Sequence, residues 1–166
     1  MQLRSQVEWA LHVCAVLAGL PEGARVSTRA LAEMHGVPKE YLSKALQALA
    51  RAGLIEGSLG PRGGYRLARP AGEITFLDMV EAVEGRRRTF HCAEIRRNNP
   101  CRRAGDQDGG PCPIARIMAK ADAAWRAALA EETLAGLMET LGAELDPDLL
   151  ARTAAWLAAG GQPSSA

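Results

Sequence analysis

Apolar residues first recur at helical spacing through Val7, Leu11, Cys14, Leu17 and Ala18, which predicts a helix over Arg4–Leu20. Pro21-Glu22-Gly23-Ala24 breaks it. Ser27 then reads as the N-cap of a short helix over Thr28–His35, and Gly36 ends that helix. Pro38 fits the first turn of a third helix that runs to Arg51 and stops at Gly53. Two short strands are expected on either side of Gly60-Pro61-Arg62-Gly63-Gly64, a turn-rich stretch that reads as a β-wing. A fourth helix is expected over Thr75–Val83, closed by Gly85.

Beyond this point the pattern changes. Residues 92–112 carry Gly, Pro and Arg in place of a hydrophobic period, and read as a loop. A long helix is expected after Cys112, with Pro113 in its first turn. Its apolar stripe is Ile114, Ile117, Met118, Ala121, Trp125, Ala128 and Leu129. Such a stripe is usually core, but a small N-terminal domain cannot cover all of it, so dimerisation through this helix is the expectation. Two further apolar stretches, Leu134–Leu141 and Leu149–Leu157, are expected to pack nearby as helices, and Gly160–Ala166 to fray. No internal repeat is visible.

The predicted fold is mainly α: a winged helix-turn-helix with a small β-wing and a long dimerisation helix. The expected divisions are a DNA-binding domain over 1–70, a connecting helix over 71–91, a cysteine loop over 92–112, dimerisation and C-terminal helices over 113–159, and a tail over 160–166.

Composition adds little until it is divided. Apolar residues make up 48% of the 166 and charged residues 23%, ordinary for a globular protein. No stretch reads as a signal peptide or reaches membrane-spanning length, so a cytoplasmic protein without membrane contact is expected. The net charge of +1 conceals an asymmetry. Residues 1–70 hold nine Lys/Arg against five Asp/Glu, whereas residues 71–166 hold eleven against fourteen. The basic half suits phosphate contacts.

Helix, glycine turn, helix is the geometry that brings a second helix to a major groove. Lys39, Glu40, Tyr41, Ser43 and Lys44 occupy the N-terminal turns of that second helix, with Leu42, Leu46 and Leu49 on the opposite, core-facing side. Lys39 and Lys44 suit phosphate or guanine; Tyr41 and Ser43 suit phosphate. Ser27 and Thr28 complete the set on the preceding helix, and Arg62 with Gly63 and Gly64 supplies the wing tip, suited to a minor groove or the backbone. The expected partner is double-stranded DNA carrying a palindromic operator, and no catalytic residues are proposed.

The second chemistry lies in the cysteines. Cys92, Cys101 and Cys112 fall within one arginine-rich loop, and thiolates on such a loop suit soft metals or iron–sulfur clusters. Three cysteines leave a four-ligand site one short. Glu8 and His12 are one helical turn apart, so their side chains share a face; such a pair is usually a solvated surface pair. Cys14 sits on an apolar helical face and reads as a buried small hydrophobe. His35 reads as a surface or capping residue, and His91 as loop packing.

Several runs together resemble a known family: Tyr41-Leu42, Ala52-Gly53-Leu54, Gly60–Pro70, Glu73–Gly85 and Cys112-Pro113-Ile114. Over about residues 1–142 the chain is similar to the Rrf-two family of bacterial winged-helix regulators. The resemblance implies a homodimeric repressor or activator with a long dimerisation helix and, in many members, an iron–sulfur cluster. The run Glu8-Trp9-Ala10-Leu11-His12 resembles most closely the redox-sensitive response regulator subgroup. That likeness implies a 2Fe–2S cluster shared across the dimer, with Glu8 and His12 of one subunit joining Cys92 and Cys112 of the other. Such a ligand set carries one negative charge fewer than four thiolates, and exchanging thiolate for imidazole raises a cluster's potential. Trp9, beside Glu8, is the implied switch candidate.

Other readings stay open at this stage. If Cys101 also binds, a 4Fe–4S sensor of nitric oxide or oxygen follows. The same cysteines could serve an electron-transfer or thiol-redox protein, although no Cys-x-x-Cys motif or nucleotide fingerprint is present. Zinc would accept Cys and His but would give no redox response.

Overall fold

The computed structural model describes residues 3–60, 63–106 and 109–161. Among the described residues, seven α-helices and one two-stranded sheet follow in the order α1 (Ser5–Ala18), α2 (Thr28–His35), α3 (Lys39–Arg51), β1 (Ile55–Ser58), β2 (Gly64–Leu67), α4 (Phe76–Glu84), α5 (Pro113–Glu131), α6 (Leu134–Glu144) and α7 (Pro147–Ala158). Short 3-10 turns cover Ala71–Glu73 and Ile95–Asn98.

Local chemistry accounts for most boundaries. The Ser27 hydroxyl accepts from the Ala30 N–H at the start of α2, and Gly36 ends it in the left-handed region at φ 61°. The α4 boundary is set by a capping box: Thr75 and Asp78 each bond the other's backbone N–H, at 3.1 and 3.0 Å. Thr75 is therefore the cap rather than the first helical residue expected from the sequence, and α4 runs one residue past Val83. At the end of α3 the cap is Ala52, and Gly53, at φ 69°, makes the turn that follows. Pro113 and Pro147 open α5 and α7 from the first turn, where a missing N–H leaves no helical bond unmade.

The core is one cluster in which Val13, Cys14 and Leu17 of α1 meet Leu31 of α2, Leu42, Leu46 and Leu49 of α3, and Met79 of α4. Leu54, Ile55, Ile74 and Leu134 close it. Leu42, Leu46 and Leu49 are fully buried, as the helical period requires. Leu157 of α7 joins the same cluster, with Trp156 packed against it, so the C-terminal helix is part of the reading domain's support.

β1 and β2 pair antiparallel from Ile55↔Leu67 to Ser58↔Gly64. Val26, ahead of α2, extends the ladder by exchanging backbone bonds with Tyr65 at 2.8 and 3.1 Å. The Glu56 carboxylate accepts from both Arg25, at 2.7 Å, and Arg66, at 2.6 Å, which braces the wing's base and holds the carboxyl below its usual range. A second backbone bridge, Thr75↔Thr133, joins the start of α4 to the start of α6.

The long helix behaves differently from the rest. α5 has no buried residue, and Ile114 and Ile117 are 63% and 68% exposed. Met118, Trp125 and Leu129 of the same stripe are half-buried within the chain, so its exposed large apolar residues lie at the start of the helix. Among the described residues, no helix is long and apolar enough to cross a membrane.

Candidate functional site

Two separate surfaces carry the candidate residues. The first is the exposed start of α3. Pro38 precedes the helix with extended backbone, which turns the side chains of Lys39, Glu40, Tyr41 and Lys44 outward, and all four are exposed. The Lys44 ammonium stands over the Tyr41 ring at 5.5 Å, a cation–π contact that fixes a positive tip on an aromatic shelf. Ser43 donates its hydroxyl proton to the Lys39 carbonyl at 2.8 Å, leaving the oxygen's lone pairs for an incoming donor. Ser27 is engaged as a helix cap, and Thr28 beside it is half-buried.

The wing follows from β1 and β2. Arg62, expected at its tip, lies outside the described residues. The two glycines that follow are explained sterically before any contact with DNA is considered. A Cβ on Gly63 would stand 2.4 Å from the Ser58 carbonyl oxygen, and one on Gly64 would stand 2.5 Å from that of Val26. Only glycine lets the hairpin close and dock on Val26.

The second surface is built around Cys92 and Cys112. Cys112 caps the N-terminus of α5 and is only 7% exposed. The backbone N–H groups of Ala115 and Ile114 in the first turn, the neighbouring Cys92 thiol and the charge of Arg96 hold Cys112 below the usual thiol range against the opposing effect of burial. Cys92, half-buried and twenty positions earlier in the chain, is thus a neighbour of Cys112. Arg96 closes that loop: it bonds Glu94 at 2.6 Å and donates to the Gly110 carbonyl at 2.7 Å, tying one flank to the other. Glu94 takes positive φ, 53°, at the bend.

Cys101 stands apart. It is exposed, and its backbone N–H is taken by Asn99 at 2.9 Å. Cys14 is fully buried in the core, and burial pushes its thiol up to about 12, which leaves it protonated and inert. Among the described residues, no three His, Cys, Asp or Glu side chains of one chain converge in a way that could hold a metal ion. The structure therefore brings together the two cysteines, and not the three.

Glu8 and His12 share an exposed face of α1 and do not converge with that pair within the chain. His12 has a neighbour that sequence reasoning missed. The His35 ring of α2 lies with its centroid 5.8 Å away, tilted by 51°. Burial, then the charge His12 can carry, lowers the His35 pKa and so favours its neutral ring. It is half-buried and neither a surface residue nor a cap. Sequence spacing gives no hint of this contact, since it joins two helices across the core's edge. Trp9 is half-buried and lines a shallow groove with Arg4, Gln6 and Tyr41, so α1 and the start of α3 meet around its ring. His91 is exposed, beside Cys92.

Comparison with known proteins agrees with this architecture. The family model for Rrf2, described as an iron-dependent transcriptional regulator, matches residues 3–140. YwgB of Bacillus subtilis, named as an HTH-type transcriptional regulator, is 29% identical over 142 residues, covering 86% of this chain and 87% of its own. Among solved structures, CymR, the global cysteine regulator of B. subtilis, superposes with a TM-score of 0.66 at 20% identity, covering 84% of this chain and 98% of that one. IscR of T. potens superposes with a TM-score of 0.64 at 21% identity, covering 88% and 93%. At these identities the structural likeness speaks for the fold alone. The family match spans the reading head, the cysteine loop and α5, and on that match the chain belongs to the Rrf2 family of transcriptional regulators.

Proposed function

We propose that this regulator is a homodimer whose DNA affinity responds to a 2Fe–2S cluster held by Cys92 and Cys112 of one subunit with Glu8 and His12 of the other. The observation that carries the reading is the thiol pair. Two cysteines twenty positions apart meet at a helix N-terminus that favours thiolate, while Cys101 lies outside and Cys14 is buried and protonated. Two thiolates are half of a four-ligand set, and soft donors of this kind fit iron–sulfur. The Glu8/His12 face supports the other half, because it is exposed on a different helix. The exposed Ile114 and Ile117 of α5 support the dimer that would join them.

When bound, the cluster supplies a centre that gains one negative charge on one-electron reduction. The protein's own residues turn that into a signal. Glu8 and His12 would feel the added charge on α1, and Trp9 lies between that helix and Tyr41 at the start of α3. A shift of ~1.4 kcal/mol in operator binding is tenfold in affinity, within the range of about 1–3 kcal/mol for coupled sites. Reduction with dithionite, under anaerobic conditions and without cluster loss, is expected to change operator affinity reversibly, and Glu8→Ala or His12→Ala to uncouple the change. Gel-shift titration at fixed salt measures it. Equal affinities for the oxidised and reduced holo-forms, with only the apo-form differing, would leave a sensor of cluster presence.

For DNA we propose a palindromic operator with half-sites about one helical turn or slightly more apart, read by Lys39, Glu40, Tyr41, Ser43 and Lys44, with Ser27 and Thr28 beside them and the wing at Arg62 in a minor groove or on the backbone. Arg62→Ala is expected to weaken binding and reduce the slope of affinity against salt by about 0.9, the contribution of one phosphate contact. An unchanged slope in a salt titration removes the wing from the contact set.

A further inference from the structure

The segment between α4 and Cys92 is tied to α5 by a set of contacts centred on Arg126. Its guanidinium donates to the Arg87 carbonyl at 2.7 Å and to Asp122, one turn back, at 2.9 Å, and it pairs with Glu81 of α4. The other oxygen of Asp122 accepts the Thr89 backbone N–H at 3.3 Å. Arg86 closes the group on Glu81 at 2.9 Å. These groups are not loose surface charges. The Arg126, Asp122 and Glu81 side chains are only 23%, 13% and 16% exposed, and two of the acceptor or donor partners are backbone atoms of the segment itself. An isolated exposed ion pair contributes little, but a forked guanidinium on a backbone carbonyl fixes a direction as well as a distance.

Beyond Thr89 the chain continues along α5. Phe90, His91 and Cys92 line a cavity of about 640 Å³ with Ala115, Met118, Ala119 and Asp122 of that helix. The segment is thus held at one end by Arg126 and Asp122, and its other end places Cys92 beside Ala115 in the first turn of α5, the turn that Cys112 caps.

We propose that Arg126 and Asp122 are positioning residues: by gripping the backbone at Arg87 and Thr89 they hold the Cys92 segment against α5, so that its thiol meets Cys112. The role for the cluster rests on Cys92 and Cys112 being its ligands, as proposed above, whereas the grip itself can be tested without metal.

The test uses the full-length, metal-free protein and diamide. Two thiols lose two protons and two electrons to form the Cys92–Cys112 disulfide, and diamide is reduced to its hydrazine. The rate is followed by mass spectrometry of the linked peptides, with alkylation of exposed Cys101 as an internal control. Arg126→Met, which keeps an unbranched side chain of similar length but removes the fork, is expected to slow Cys92–Cys112 linkage about tenfold, equal to ~1.4 kcal/mol of lost alignment, while Cys101 reacts at its native rate. Asp122→Asn keeps an oxygen for the Thr89 N–H and loses the charge facing Arg126, so it should fall between the two, and it serves if Arg126→Met does not fold. Native linkage rates in both variants overturn the proposal. If the variants are slowed as expected but the native protein develops no visible iron–sulfur bands on anaerobic reconstitution, the grip stands and the cluster assignment fails.

Discussion

Cys112→Ala is expected to abolish the visible charge-transfer absorbance of anaerobically purified protein, whereas Cys101→Ala is expected to leave a 2Fe–2S spectrum. The difference comes from where the two thiols sit. Cys112 is buried at the N-terminus of α5 beside the Cys92 thiol, so its removal takes out half of the proposed thiolate pair at once. No other cysteine can substitute: Cys14 is locked in the core, and Cys101 is exposed and held by a different turn. The absorbance of the two variants, normalised to iron content, reads the outcome. Loss of colour in Cys101→Ala would favour a three-cysteine 4Fe–4S site, and a colourless native protein would favour zinc or no metal.

A large effect on the reading head is expected from Gly64→Ala. Its Cβ would meet the Val26 carbonyl oxygen at 2.5 Å and the carbonyl carbon at 2.6 Å. Both are backbone atoms of the bridge that docks the wing, so no side chain can swing aside. Overpacking of this kind typically costs about 1–3 kcal/mol, read as a lower urea midpoint. Operator affinity should fall with it, because the wing can no longer rest on Val26. Gly109→Ala is the control: a Cβ there has open space around it, and a change within about 0.5 kcal/mol is expected. Equal midpoints for the Gly64 variant and the native protein would mean that the hairpin adapts and that glycine is kept there for DNA.

The sequence was most informative where local chemistry sets structure. Ser27, Gly36, Pro38 and Pro113 each act within one turn of helix, and the boundaries they imply agree with the structure to within a residue or so. The leucine period of α3 likewise separated core from exposed face. The site was legible only in parts. The loop cysteines stand out by composition, but their selection into a pair depends on Arg96 reaching Gly110 and on the first turn of α5, neither of which spacing reveals. The Asp122–Arg126 spacing suggests an ordinary surface pair. Its partners, Glu81, Arg87 and Thr89, come from a distant part of the chain and give it a different meaning. The nearness of His35 to His12 is of the same kind: two unremarkable residues until the helices pack.

The bridge between Thr75 and Thr133 has a consequence for how such a chain can change over generations. Ile74 and Leu134, and Phe76 and Glu132, join by backbone bonds of 2.9 Å, and α4 itself packs into the core, so the chain that runs out through the cysteine loop and α5 returns beside the point where α4 began. Loop closure is settled there, and lengthening a loop whose ends are already pinned costs only slowly more entropy. Insertions, deletions or new ligand spacings between Cys92 and Cys112 therefore leave the reader's own chain path intact. One DNA-reading scaffold can carry many different sensory arms, each free to drift in length and ligand set without asking the reader to refold.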